Sequence, residues 1–496
     1  MGKASIYKEM MRSTGIYLLG TMARQAMAFL LIPVFTRFLT PKDAGIQELL
    51  DTTMVVFSML AGQRVGSGVL YFLSKAEDEA GRNRTLSTIL LGGIGVGIAG
   101  GLIGGLAGTW ICQAVFQSAD YVFYWRLMCV SFAVSVPNEI AWNWMRGENR
   151  ATWFVASNLV LTLINYAIVL VLLIHYRMGF RSLVWGTAVS AAAMALVQSA
   201  YVFSKTGIHF DGGLFKRAVR YAIPTGLSGL GALMLHSGDR FFLQRSASLM
   251  DVGIYGYAYR LGMMISTLQG AFGNYWLTRV YDLLKGEGGR HLFERTLTYV
   301  VTVAASLGFF LWIWGRPFVN SFVGWEFRGC LAYYPWILAA YVIRIPADYM
   351  RSLLYLRNRT DLDAAVNVIS AVACLGAYFV LIPPFGVWGA AWATLAGFSV
   401  LAAAASALGY RVYPYTPEWK RLLQVGVAIL AAGGLFVLIP APTVLWQVAV
   451  AAVLSLVYPA VLWISGFFDP GEREQIALAL QRIRERISST PVTTSS

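Results

Sequence analysis

The chain has 496 residues, 57% of them hydrophobic and only 13% charged, and its mean hydropathy is +0.60. Soluble globular domains are far more polar, so this composition excludes one and places the chain in lipid. The formal charge of +14 requires no nucleic-acid partner, because membrane proteins concentrate Lys and Arg in their cytoplasmic loops.

A bilayer core about 30 Å thick takes roughly 20 apolar residues per spanning helix. Stretches of that length recur between Tyr17 and Gly466 and predict an all-α membrane protein of about fourteen transmembrane helices. The expected spans are 14–36, 45–73, 86–112, 121–145, 152–176, 182–204, 221–244, 252–278, 296–315, 331–355, 364–383, 386–410, 422–440 and 443–466. Lys3, Lys8 and Arg12 precede the first, but its apolar run extends to Phe35 without a small-residue cleavage site, so it reads as a span and not as a secretion signal. In the third, Gly95-x-Gly97-x-x-Gly100 has dinucleotide-loop spacing but no preceding strand. Gly93, Gly97, Gly101 and Gly105 instead recur every fourth residue, forming a close-packing face. In the fourth and tenth, Pro137 and Pro346 stand two residues before Glu139 and Asp348, which sets a titratable group beside a freed backbone carbonyl.

Cys112, Cys129, Cys330 and Cys374 are far apart and expected as packing residues, and the four histidines lack metal-ligand spacing. No G-x-x-x-x-G-K-[ST] loop occurs, so neither ATP hydrolysis nor any cofactor is implied, and the chain reads as a transporter and not an enzyme. Beyond the last span, Ile476, Leu480, Ile483 and Ile487 recur at helical spacing opposite Arg482 and Arg486, a pattern suited to an anionic leaflet. Between spans, most cations, from Lys3 and Lys75 to Arg411 and Lys420, fall on one side; the other holds only Arg37, Lys42, Arg177, Arg181, Arg245, Arg316 and Arg328. Both termini are therefore expected in the cytoplasm.

The chain resembles itself at an offset of about 208 residues. Asp43-x-Gly45-Ile46 aligns with Asp251-x-Gly253-Ile254, Val136-Pro137-Asn138-Glu139 with Ile345-Pro346-Ala347-Asp348, and Val184-Trp185-Gly186 with Val387-Trp388-Gly389. Their common order predicts two six-helix lobes, 1–208 and 209–415, related by a pseudo-twofold along the membrane normal. Two further helices at 416–466 and a cytoplasmic segment at 467–496, amphipathic and then disordered, follow.

Seven arginines and no lysine fall inside expected spans: Arg24, Arg64, Arg126, Arg240, Arg260, Arg344 and Arg351. Glu48, Asp51, Glu139, Asp239 and Asp348 lie on the same helices. A charge at the bilayer centre costs several kcal/mol, so such residues face a watery cavity or the protein interior. A guanidinium binds phosphate bidentately and sheds water readily. The excess of arginines therefore predicts a chamber for an anionic substrate, contacted by Arg24, Arg64, Arg240, Arg260 and Arg344, with Arg64 and Arg260 foremost. Glu139, Asp239, Asp348 and Asp51 are candidate coupling or gating carboxylates, and pairing with arginine would make them structural instead.

Ile32-Pro33, Thr36-Arg37-Phe38-Leu39-Thr40-Pro41, Gly45-Ile46, Asp239-Arg240-Phe241-Phe242-Leu243, Gly253-Ile254-Tyr255 and Trp388-Gly389-Ala390-Ala391 resemble the Wzx-type oligosaccharide flippases, or polysaccharide biosynthesis proteins, of the multidrug/oligosaccharidyl-lipid/polysaccharide exporter superfamily. The resemblance implies alternating-access flipping of a polyprenyl-diphosphate-linked glycan across the bacterial inner membrane, for a surface polysaccharide such as lipopolysaccharide or exopolysaccharide. Its implied partners are membrane lipids, a polysaccharide polymerase and glycosyltransferases. Three alternatives stand beside it: a flippase for a peptidoglycan lipid precursor, a multidrug or cation antiporter of the same fold, and a non-transporting scaffold for glycan assembly.

Overall fold

In hydrocarbon a backbone N–H or C=O finds no water, so each long apolar run must satisfy its own hydrogen bonds as a helix. The computed structural model accordingly consists of helices, with no strand among the described residues. It describes residues 3–474, except 149, 267–268, 271–272, 274–275, 277–279, 281–283, 285–287 and 358, together with 478 and 481; at 3–14, 63–64 and 224–232 it describes the backbone alone. The expected tail helix at Ile476, Leu480, Ile483 and Ile487 lies outside the described residues.

The first half contains α1 (Lys3–Leu30), α2 (Ile32–Phe38), α3 (Pro41–Leu60), α4 (Val69–Ser74), α5 (Glu79–Leu106), α6 (Gly108–Phe116), α7 (Val122–Gly147), α8 (Ala151–Leu170) and α9 (Arg181–Thr206). The second contains α10 (Gly212–Ser237), α11 (Asp239–Ser246), α12 (Leu249–Met263), α13 (Gly289–Phe322), α14 (Cys330–Leu356), α15 (Thr360–Phe385), α16 (Val387–Val412), α17 (Trp419–Leu438) and α18 (Val444–Ile464). Among the described residues ten helical segments are long and apolar enough to cross a membrane, or eleven if α3 and the segment 65–74, bent by 50°, count as one span. α7, α10 and α12 stand where the fourth, seventh and eighth spans are expected but do not reach that apolar length. α12 is a described helix of only 15 residues, and polar residues interrupt the other two, Arg126 and Glu139 in α7 and Arg220 and His236 in α10.

The glycine face of α5 is a packing seam. A Cβ on Gly93 would fall 2.2 Å from Ile140 Cδ1, on Gly97 2.4 Å from the Ala133 carbonyl oxygen, and on Gly101 2.9 Å from that of Cys129. Successive glycines thus meet successive turns of α7, where only hydrogen lets the backbones approach. Gly95, off that face, meets nothing within 4 Å.

The two copies of Asp-x-Gly-Ile fold alike and meet each other. Thr40 with Asp43, and Ser248 with Asp251, form reciprocal capping boxes that start α3 and α12. In the turn that follows, a Cβ on Gly45 would fall 1.8 Å from the Leu249 carbonyl oxygen, and one on Gly253 1.9 Å from that of Pro41. Each glycine therefore admits the first turn of the other helix. Nearby, the Gly324 amide donates to Thr36 Oγ1 at 3.0 Å, a second tie between the halves at this end.

A continuous apolar core joins Leu49 and Leu50 of α3 to Tyr255, Ala258 and Tyr259 of α12 and on to α14 and α16. α17 and α18 cover the outside of α13, where Trp314 Nε1 donates to Ser455 and Asn320 to Gln447, both at 3.0 Å. Past α18, Asp469 and Glu472 tie the chain back onto Arg295 of α13 and Arg421 of α17. The four cysteines are free and buried, as packing residues should be, and no group of metal-ligating side chains occurs among the described residues.

Candidate functional site

The charges carried by the polar helices gather into two clusters. In the first, Glu48 on α3 is shared by two arginines from the second half of the chain. Its Oε2 lies 3.3 Å from Arg240 Nε and its Oε1 lies 2.6 Å from Arg260 Nη2. Arg240 also donates from Nη1 to Asp239 Oδ1 at 2.8 Å and to the His236 carbonyl at 3.1 Å, and its guanidinium lies 4.4 Å from the centre of the Tyr259 ring. The Tyr255 hydroxyl donates to Asp239 Oδ2 at 2.5 Å. Burying charges is tolerable here because each carboxylate oxygen of Glu48 and Asp239 finds a donor.

The two arginines differ in surroundings. Arg240 is only 6% exposed, whereas the Arg260 side chain is 45% exposed although most of α12 is buried. Asp51, one turn from Glu48, is also exposed and accepts from Gln47 Nε2 through both oxygens at 2.8 Å. Arg24 on α1 is exposed with its neighbours from Thr21 to Ala26.

The second cluster sits on α14. Arg344 and Arg351 flank Asp348, at 3.4 and 3.1 Å, and Gln269 donates to the same carboxylate. Arg351 reaches on to Asp363 of α15 at 2.7 Å. Arg344 Nη1 lies 2.7 Å from His236 Nε2; a guanidinium only donates, so that ring nitrogen accepts. Arg344 Nε is buried without a hydrogen bond, since Asp348 Oδ2 stands at 3.4 Å out of line.

Of the expected contacts, Arg240 and Arg260 thus converge on Glu48, Arg344 joins them through His236 of α10, and Arg24 is exposed on α1; the Arg64 side chain lies outside the described residues. Among the expected carboxylates, Asp239 and Asp348 are engaged by arginine, Asp51 by Gln47, and Glu139 packs close to Gly66. Arg126 donates to the Gly105 carbonyl at 3.2 Å, away from both clusters. The cationic surplus is smaller than the count of arginines implies. Glu48 and Asp239 balance Arg240 and Arg260, while Asp348 and Asp363 balance Arg344 and Arg351. Asp363 escapes a reading by span because it stands one residue outside the expected eleventh span, and Gln47 and Gln269 because neutral amides leave no charge signal.

No curated protein matches the sequence. The chain is similar in structure to lipid II flippase MurJ in an inward closed conformation, with a TM-score of 0.71, 12% identity and coverage of 93% of this chain and 99% of that one. An inward-facing multidrug resistance MATE family transporter of the MOP superfamily superposes with a TM-score of 0.64 at 16% identity, covering 78% of this chain and 94% of that one. A MOP superfamily transporter from Pyrococcus furiosus, whose reverse polarity of the binding pocket suggests a different function, follows with a TM-score of 0.52 and 14% identity, covering 82% and 95%. At these identities the likeness establishes the fold, which is that of multi-pass membrane transporters. The sequence profile of the polysaccharide biosynthesis proteins matches residues 10–274, more than half of the chain, and the protein therefore belongs to the polysaccharide biosynthesis protein family.

Proposed function

We propose that the protein flips a polyprenyl-diphosphate-linked oligosaccharide across the bacterial cytoplasmic membrane by alternating access, for export of a surface polysaccharide. In this reading it has fourteen spans, two six-helix lobes with a trailing pair, and both termini in the cytoplasm. The observation that carries it is the half-exposed Arg260 on a buried helix, held by a carboxylate that a second arginine also holds. A diphosphate offers that guanidinium two charged oxygens in bidentate geometry, so it can replace Glu48 as partner. Arg240, which it shares with Asp239, remains as the partner of Glu48 after the exchange. Because the Arg260–Glu48 pair links α3 to α12, transferring Arg260 to the substrate also removes one tie between the halves. Binding energy is thereby coupled to rearrangement, as a population shift requires. Arg24 completes a second phosphate contact from α1, with sugars in the water-filled space and the prenyl chain in lipid.

The test is reconstitution into liposomes carrying a fluorescent polyprenyl-diphosphate glycan. Wild-type protein should expose inner-leaflet label to an external quencher, and Arg24→Gln with Arg260→Gln should reduce the rate at least tenfold. Equal rates in protein-free and protein-containing vesicles, under every imposed ion gradient, would favour the scaffold reading. The fold likeness to lipid II flippase supports a peptidoglycan precursor as an alternative cargo, since it presents the same diphosphate. A second reading, an antiporter for organic cations, is favoured by the exposed Asp51 carboxylate; it predicts uptake of a fluorescent cation that Asp51→Asn abolishes.

A further inference from the structure

A cavity with a definite chemical character lies away from Glu48, at the far end of the bent α3–α4 pair from Gly45. It measures about 620 Å³ and lies between the 71–85 segment of the first half and the start of α10 in the second. Lys75, Arg84, Arg217 and Arg220 line it against a single acid, Asp211. That acid is already engaged: its carboxylate caps α10 by accepting from the Leu214 amide at 3.1 Å, and Arg84 lies 3.7 Å away. Glu77, Asp78 and Glu79 occupy the adjoining turn but do not line the cavity.

One wall is aromatic. Tyr71 and Tyr221 stack across the two halves with ring centres 4.8 Å apart and planes at 9°, and Lys75 Nζ lies 4.4 Å from the centre of the Tyr71 ring. The start of α10, which Asp211 caps, is fixed behind the cavity. Ser87 and Thr88, both fully buried on α5, accept from the backbone amides of His209 and Asp211 at 2.8 and 3.1 Å, which pins the start of α10 in place. Arg217 and Arg220, three residues apart on α10, share one face of that helix. Ordinary cytoplasmic loop cations are dispersed and lack such a wall; here four from both halves face a single cavity of the size that small-molecule sites occupy, roughly 300–1,000 Å³.

We propose that this cleft receives the phosphate-bearing head of a membrane lipid from the leaflet beside it. Resting on the flippase reading above, the inference gives the diphosphate a first stop, where guanidinium groups replace its hydration before it moves to Arg260. Salt screens exposed charge–charge contacts of this kind, so occupancy falls as ionic strength rises. The same chemistry fits the phosphate of an anionic phospholipid, and the experiment separates the two sources.

Farnesyl diphosphate is titrated onto the full-length protein in nanodiscs of phosphatidylcholine alone or with one-third phosphatidylglycerol. The proteins are wild type, Arg217→Gln/Arg220→Gln, and Arg260→Gln as a control that leaves the cleft intact. In phosphatidylcholine the double variant should bind at least tenfold more weakly than wild type, and Arg260→Gln should retain the salt-sensitive component. If phosphatidylglycerol weakens farnesyl diphosphate binding to wild type but not to the double variant, the cleft accepts both headgroups; if it changes neither, the cleft prefers the diphosphate. Binding by the double variant within twofold of wild type would overturn the proposal. Flipping by wild-type protein alongside that result would leave the transport reading standing, whereas lost cleft binding with no flipping by wild type would sink transport and keep the cleft.

Discussion

Glu48→Gln tests the exchange on which transport is proposed to turn. The substitution keeps the side-chain shape and one acceptor oxygen but removes the charge that Arg240 and Arg260 share. Breaking a buried pair outright costs about 3–5 kcal/mol. Arg240 is buried in that way, yet it retains Asp239 at 2.8 Å and the Tyr259 ring at 4.4 Å, so the uncompensated charge is partial. The Arg260 pair is exposed enough to contribute only about 0–1 kcal/mol. Together these arguments give a net loss of about 1–2 kcal/mol, less than a full buried pair because the amide still accepts a hydrogen bond. In tryptophan-fluorescence melting of the detergent-solubilised protein this corresponds to a fall of a few degrees. The same variant frees Arg260, so its affinity for farnesyl diphosphate should rise about threefold or more, while flipping slows because α3 and α12 are no longer held until substrate arrives. A variant that melts with wild type and binds the diphosphate less tightly would refute the reasoning, because it would mean that Glu48 orders Arg260 for the ligand instead of competing with it.

Gly253→Ala should force α3 and α12 apart at their first turns, since the new methyl would sit 1.9 Å from the Pro41 carbonyl oxygen; overpacking of this sort costs about 1–3 kcal/mol, and amide exchange in both first turns should quicken at least tenfold. Gly97→Ala should destabilise the protein by a similar route against Ala133, whereas Gly95→Ala, which meets nothing within 4 Å, should be neutral or slightly stabilising because alanine favours a helix; equal melting temperatures for the two would contradict the packing seam. Hydrogen bonds from Arg295, then Arg421, hold the Asp469 carboxyl below its ordinary value of 3.8. A depressed carboxyl contributes its attachment fully above that value and loses it as pH falls through the lower folded-state value. Protease resistance of the chain after α18 should accordingly be constant from pH 8 to about pH 4 and decline only below that, and Asp469→Asn should weaken it at neutral pH.

Much of the fold was legible in the residues because lipid leaves the backbone so little choice. Apolar length identified most of the long helices, the every-fourth glycines on α5 identified a packing face, and the repeated Asp-x-Gly-Ile marked two helix starts that cap identically. Composition likewise singled out the intramembrane charges, since each such residue is costly enough to need a reason. What sequence could not supply was partnership. Glu48 and Arg260 are 212 residues apart, and nothing in either segment reveals that one carboxylate serves two guanidinium groups or that Arg240 is sealed while Arg260 stays half open. The count of arginines therefore overstated the cationic surplus, and the basic cleft at α10 went unnoticed because Lys75 and Arg84 meet Arg217 and Arg220 only in three dimensions. Helix formation is a local property of the chain in lipid, whereas charge balance depends on distances between helices, which tertiary packing alone decides.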